Sequence, residues 1–404
     1  MKPKLRPINA FPVEADGRKL ICLQDPMKIS DKSLFIDYRT YFIITMMDGK
    51  NEISDIQLAY TRQFGELLLN NQIELLLKNL DDNLFLEGEK YNAAIKTMRN
   101  AFAIQPVRYA ELAGSAYEPE PEKLHAQLDK ILGKTLNIYN SGNKKKRIKA
   151  LISPHIDINH GTECYAHSYG CLANHSRADL YIILGVIHAP SKNEFIPTRK
   201  DYATPFGMAE TDKKTAKILE DSLPPDSSED EFIHKTEHSI EFQLIFLQHI
   251  LGKANYKILP ILCGGFHKQL ENGKIPEDDK TTKNFLDTLR DIINEYDGNI
   301  CIIAGVDLSH VGTRFGSVSP ITPARLPAIE SLDKEMLEYV VKCDARGFYK
   351  NIEMDKNGRN VCGFGAIYTL LYLLGDSEGE LLYYGQSFQP ETASVVTFTS
   401  IAFY

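Results

Sequence analysis

Three apolar stretches of this 404-residue chain stop at a histidine. "ALISPHID" runs into His155, "YIILGVIHAP" into His188, and "IIAGVDLSHVG" into Asp307 and His310. Pro154 cannot donate to a sheet ladder, so the first run breaks where His155 begins. A fourth stretch, "NVCGFGAIY", sets Cys362 before Gly363 and Gly365 at a helix start, where a thiolate is favoured. Two imidazoles and a thiolate suit iron, copper or zinc, and do not suit magnesium or calcium. The remaining pair, His310 and Asp307, then fits a base and its orienter. Each residue also has an ordinary reading. A single strand-end histidine is a hydrogen-bonded loop residue, and an isolated Cys362 is a small buried hydrophobe. Asp307 can cap a turn through backbone N–H groups. Recurrence at three separate strand ends is what favours a site.

A fifth stretch, "KTEHSIEFQLIFLQHI" (235–250), reads as a helix with Ile240, Leu244 and Leu247 on its core side. Glu237, His238 and Glu241 fall in its first turn, where the helix dipole accounts for both acidic residues. His238, at the helix start, is within reach of the same crevice as a substrate-binding residue. His125, His167, His175, His234, His249 and His267 read as surface or core residues.

Residues so far apart in sequence converge only if their strands share one edge of a sheet. From residue 111 strands and helices alternate. The spacing predicts strands over 148–153, 179–187, 256–263, 299–306, 379–387 and 393–404. It predicts helices near 121–132, 163–175, 213–222, 238–251, 281–296, 330–342 and 363–374. The early strands are near-continuous apolar runs, as expected of parallel strands covered on both faces. The last two lack a helix between them and are expected to pair antiparallel. The expected fold is α/β, a three-layer, mostly parallel sheet over 111–404. The crevice of such a sheet lies outside the carboxyl ends of its strands. Residues 1–90 differ: a strand over 19–25 and helices over 32–49, 52–65 and 71–88 suggest a small winged-helix-like domain. Residues 91–110 read as a helical linker.

Composition is that of an ordinary globular protein, 43% hydrophobic and 25% charged. A net charge of −8 argues against a broad nucleic-acid surface. The one basic run, Lys144-Lys145-Lys146-Arg147, reads as a solvated loop. No run of eighteen apolar residues exists, and "MKPKLRPINAF" has no apolar signal core, so neither a membrane span nor a secretory leader is expected. Seven scattered cysteines without C-x-x-C suggest reduced thiols in a cytoplasm.

On these stretches the chain resembles the MEMO-like family, specifically its bacterial branch, the AmmeMemoRadiSam system protein B group. The matching segments are "LAGSAYEPEPEKLHAQLDKIL", "ISPHIDINHG", "ILGVIHAP", "RKDYATPFG", "EHSIEFQL", "PILCGGFH", "AGVDLSHVGTRFG" and "VCGFGAI". The first ~90 residues resemble that branch's N-terminal extension, which is similar to PqqD-like winged-helix modules. The resemblance implies a fold like that of class III (LigB-type) extradiol dioxygenases, which use non-haem iron. It implies metal-site residues at His155, His188 and Cys362, and a D-x-x-H segment at Asp307 and His310, with His310 in the position of a catalytic base. It also implies partners, an AMMECR-type protein and a radical-SAM enzyme. Two departures stand out. The dioxygenases use a carboxylate where Cys362 stands, and eukaryotic relatives have Arg-His where Phe364 and Gly365 follow the Cys-Gly. Two function classes follow: a transition-metal, oxygen-using redox enzyme acting on a peptide or small molecule, or a non-catalytic adaptor that keeps a metal pocket.

Overall fold

A computed structural model describes residues 1–15, 17–139, 147–175, 177–375 and 377–404. Lys144, Lys145 and Lys146 of the basic run lie outside the described residues. Arg147 donates to the Ile300 carbonyl at 2.7 Å. The chain divides into two compact units, Met1–Ile104 and Gln105–Tyr404.

The first unit has an antiparallel three-stranded sheet of β1 (Asn9–Ala15), β2 (Arg18–Gln24) and β3 (Leu34–Ile36). Its helices are α1 (Tyr38–Thr45), α2 (Ile53–Phe64), α3 (Asn70–Asp82) and α4 (Glu89–Ala103). Ile44, Ile56, Ile73, Leu80 and Phe85 form its buried core. A helix over the whole of 32–49 is not what forms. Leu34–Ile36 pair with β2, and the Asp37 side chain accepts from the Thr40 amide and starts α1 there. Strand β1 was not anticipated either. Within the expected 91–110 linker, α4 belongs to the first unit.

The second unit carries strands β4 (Val107–Arg108), β5 (Ala150–Ser153), β6 (Leu180–Val186), β7 (Phe195–Pro197), β8 (Asp201–Thr204), β9 (Gly207–Ala209), β10 (Lys257–Cys263), β11 (Ile300–Gly305), β12 (His310–Gly312), β13 (Gly379–Gln389) and β14 (Ser394–Phe403). Its helices are α5 (Pro121–Leu132), α6 (Leu136–Tyr139), α7 (Thr162–Ala173), α8 (Lys213–Asp221), α9 (Ser239–Leu251), α10 (His267–Glu271), α11 (Lys280–Glu295), α12 (Leu326–Val341), α13 (Ala345–Met354) and α14 (Phe364–Leu374). An eight-stranded sheet runs β12–β14–β5–β11–β6–β10–β7, with β13 beside β14. The centre, β5–β11–β6–β10, is parallel. The flanking strands are antiparallel, including the expected β13–β14 pair. A smaller sheet is built from β4, β8 and β9.

Helices α7 and α9 cover one face of the large sheet and α14, backed by α11, the other. The central strands are buried on both faces, which is why they lack hydrophobic alternation. Helix α9 is buried all round from Ser239 to Gln248, not along one stripe, because it is sandwiched between the sheet and α5.

Candidate metal centre

Parallel pairing aligns the ends of three strands. β5, β11 and β6 lie side by side in that order, and two residues beyond their last residues come His155, Asp307 and His188. One sheet edge therefore presents all three. The fourth arm comes from Cys362, just before α14. That helix sits tight against the loop after β10: a Cβ at Gly365 would fall 1.6 Å from the Gly264 carbonyl oxygen. The N-terminus of α9 also packs closely, against the end of β11, since a Cβ at Gly305 would fall 2.5 Å from the Ser239 carbonyl oxygen. These glycines let two helix starts reach the crevice.

One ligand atom each from His155, His188 and Cys362 lie within 4.8 Å of one another. Cys362 Sγ is 3.4 Å from His155 Nε2. His155 is buried, and its Nδ1 donates to the Gly305 carbonyl at 2.9 Å. That bond leaves the Nε2 lone pair for the site. Burial, with the nearby His188 and His238, holds the His155 pKa well below its ordinary value, so the ring is neutral. His188 behaves oppositely. Loss of solvent opposes its protonation, but the Glu237 carboxylate and Cys362 outweigh that and raise its pKa well above normal. Burial pushes the Cys362 thiol up, only partly offset by His188. The expectation that a helix start favours a thiolate is not what this site shows: burial, with the Asp307 charge, holds the thiol above its ordinary value. A bound cation would reverse this, since a coordinating thiol is deprotonated outright. The set passes the chemical test for a transition metal: one imidazole nitrogen already freed by an outer hydrogen bond, a second imidazole, and a soft sulfur, all at one point.

Asp307 is buried, with Oδ1 accepting the His155 amide at 3.1 Å and Oδ2 3.6 Å from His155 Nε2. Burial raises its pKa to about 7. Asp307 thus caps the turn after β5 and lines the cleft, while the His310 ring is held by the Leu308 carbonyl and not by Asp307. His310 does not sit in a loop but begins β12, pairing with Val396. Its Nδ1 donates to the Leu308 carbonyl at 3.0 Å, and burial pushes its pKa down to about 4. Its ring meets Phe315 edge-on at 5.0 Å. His238 is stacked on His188 at 5.0 Å and lies 5.1 Å from the His155 ring centre. All of His155, His188, His238, Asp307 and His310 line one cleft of about 630 Å³, whose apolar wall includes Leu112, Phe242, Phe315 and Val396.

The helix dipole is not what explains the acidic residues of α9. Glu237 is buried and its Oε2 is 2.9 Å from His188 Nδ1. Glu241 is buried in an ion pair with Arg108, and also accepts the amides of Glu111 and Leu112 and the Tyr117 hydroxyl. Arg108 donates onward to the His234 and Glu237 carbonyls, both at 2.9 Å. This pair ties the 111–117 segment and the cleft's Leu112 to the helix that carries Glu237 and His238. The available signal was a helix apolar all round yet carrying carboxylates in its first turn, which forces those carboxylates inside. Of the other histidines, His234 is a core residue. His125 and His249 meet Nδ1 to Nδ1 at 2.8 Å on another surface.

The family model described as "Memo-like protein" matches residues 108–402. A MEMO1 family protein of Aquifex aeolicus is 26% identical over all of both chains. One from Thermococcus onnurineus is 28% identical over 74% of this chain and 99% of its own length. One from Thermus thermophilus is 24% identical over 87% of this chain and 98% of its own. With the family match covering nearly all of the second unit, the candidate cluster of His155, His188 and Cys362 included, the chain belongs to the Memo-like family.

Proposed function

We propose that this Memo-like chain holds one transition-metal ion at His155, His188 and Cys362 and works as an oxygen-using redox enzyme. Iron, implied by the likeness to extradiol dioxygenases, is the proposed occupant, and copper and zinc suit the same donors. The observation that carries the reading is the meeting of three ligand atoms, from segments spread over 207 residues, within 4.8 Å of one another, with His155 and His188 lining a cleft. When bound, the metal supplies a Lewis-acidic, redox-active centre.

The chain's own residues do the rest. His310, its Nδ1 engaged with Leu308, offers Nε2 as acceptor for a proton from an acidic substrate hydroxyl. Asp307 holds the His155 backbone in place. His238 contacts substrate along the cleft, and the apolar wall offers a surface for the substrate's apolar part. The proposed partners are an AMMECR-type protein and a radical-SAM enzyme, in a cytoplasm. Among the described residues no helix is long and apolar enough to cross a membrane, and the seven cysteines form no disulfide. Cys362, standing where the dioxygenases have a carboxylate, favours a second reading: a non-catalytic metal-binding adaptor.

The test is metal content after purification without oxygen, for wild type and His155→Ala. About one equivalent of metal, lost in the variant, supports the centre. Metal retained by the variant overturns it. Oxygen consumption by iron-loaded protein with candidate aromatic or peptide substrates then separates enzyme from adaptor.

A further inference from the structure

Among the described residues, Glu237 and Asp307 are the carboxylates that meet a proposed ligand. The geometry of Glu237 allows two roles, because Glu237, His188 and His238 also form a group whose ligand atoms lie within 4.8 Å of one another. The hydrogen bonds decide between them. Oε1 accepts the backbone N–H groups of His238 and Ser239, both at 2.8 Å. Oε2 faces His188 Nδ1 at 2.9 Å. Both oxygens are engaged, and the carboxylate is clamped to the first turn of α9. That turn is held against the sheet at Gly305 and tied through the Glu237 carbonyl to the buried Arg108.

We propose that Glu237 is a positioning residue: it keeps the hydrogen of His188 on Nδ1, fixes the ring plane, and commits Nε2 to the metal without itself becoming a ligand. The inference rests on the metal reading above. It parallels the Gly305 carbonyl at His155 Nδ1, so both imidazoles are oriented from behind by an acceptor. It also locates a carboxylate in a centre whose ligand set has none. Here the carboxylate stands one hydrogen bond further out, behind an imidazole, and the inner position is left to Cys362.

The test uses zinc as probe with the full chain. Zinc affinity is measured by chelator competition for wild type, Glu237→Gln and His155→Ala. The site of the His188 ring proton is read by ¹⁵N-resolved NMR of zinc-loaded wild type. The expected results are a proton on Nδ1 in wild type and an affinity loss of about 10–100-fold in Glu237→Gln, with a larger loss in His155→Ala. Wild-type affinity in Glu237→Gln, or a His188 proton on Nε2, overturns the positioning role and leaves the metal centre standing. Equal zinc binding by wild type and His155→Ala overturns both. If Glu237→Gln does not fold, the NMR of the wild type alone decides the role.

Discussion

The Sγ of Cys362 stands 3.4 Å from Nε2 of His155, across 207 residues of sequence. Nothing local joins them: one follows β5 and the other precedes α14. The His155 ring is held by its Nδ1 bond to the Gly305 carbonyl, and Cys362 Sγ also lies 3.6 Å from the Asp307 carbonyl oxygen.

Replacing Cys362 with serine should therefore cost metal affinity while sparing the fold. A hydroxyl is a harder and more weakly ligating donor than a thiolate. We expect a loss beyond the roughly 10–100-fold typical of outer-sphere partners, with far-UV circular dichroism unchanged. Undiminished affinity in Cys362→Ser would remove the cysteine from the centre.

His310→Ala should keep the metal and lose turnover. Its imidazole is neutral at pH 7, with a pKa of about 4, and its Nδ1 is engaged with a carbonyl, so it is a proton acceptor set apart from the ligands. Metal analysis paired with an oxygen-uptake assay checks this. If His310→Ala loses its metal as fully as His155→Ala, then His310 is a ligand.

Glu241→Gln should destabilise the second unit by about 3–5 kcal/mol, because it leaves the buried Arg108 guanidinium without its counter-charge. Urea unfolding of the full chain measures this. A change below about 1 kcal/mol would show that the pair is not what anchors 111–117 to α9.

Acid should weaken the fold through His234. Its Nδ1 accepts from the Tyr202 hydroxyl and its Nε2 donates to the Ile196 carbonyl, and burial pushes its pKa from 6.5 to about 4. Between those values the unfolded chain takes up the proton and the folded one does not. Stability from this group is thus full above pH 6.5 and is lost as pH falls toward 4, by roughly 3 kcal/mol in all. Asp307, raised to about 7, acts in the opposite sense over the same range. Comparing His234→Gln with wild type isolates the histidine: the variant should lose less stability between pH 7 and pH 5. Equal losses would contradict the assignment.

Residues 1–104 should fold when produced alone, since Ile44, Ile56, Ile73, Leu80 and Phe85 close a core within that unit and the buried Arg6–Asp25 pair lies inside it. A cooperative thermal transition of this fragment is the expected result, and a non-cooperative one would count against it.

The sequence alone was enough to locate the α/β unit's main strands, the antiparallel closing pair, and the residues of the site by type. Buried parallel strands are unbroken apolar runs, and Pro154, Gly161 and the Gly363–Gly365 start mark where those runs stop, so His155, His188, Asp307, His310 and Cys362 stood out as polar residues at apolar ends. Short elements such as β1, β3 and β12 were not legible, because three to seven half-exposed residues carry no periodicity that outweighs a neighbouring helix pattern. Only the tertiary structure decided which of the site residues meet. Strand order β5–β11–β6 is a property of the sheet, not of any strand, and it alone sets His155 beside Asp307 and His188. It also decided the charges. Glu237 and Glu241 read as helix-dipole residues until α9 is sandwiched, and burial then requires each carboxylate to find a partner, His188 for one and Arg108 for the other. Burial likewise raises the Cys362 thiol instead of favouring a thiolate, because the cost of burying a charge is felt only once the chain has folded around it.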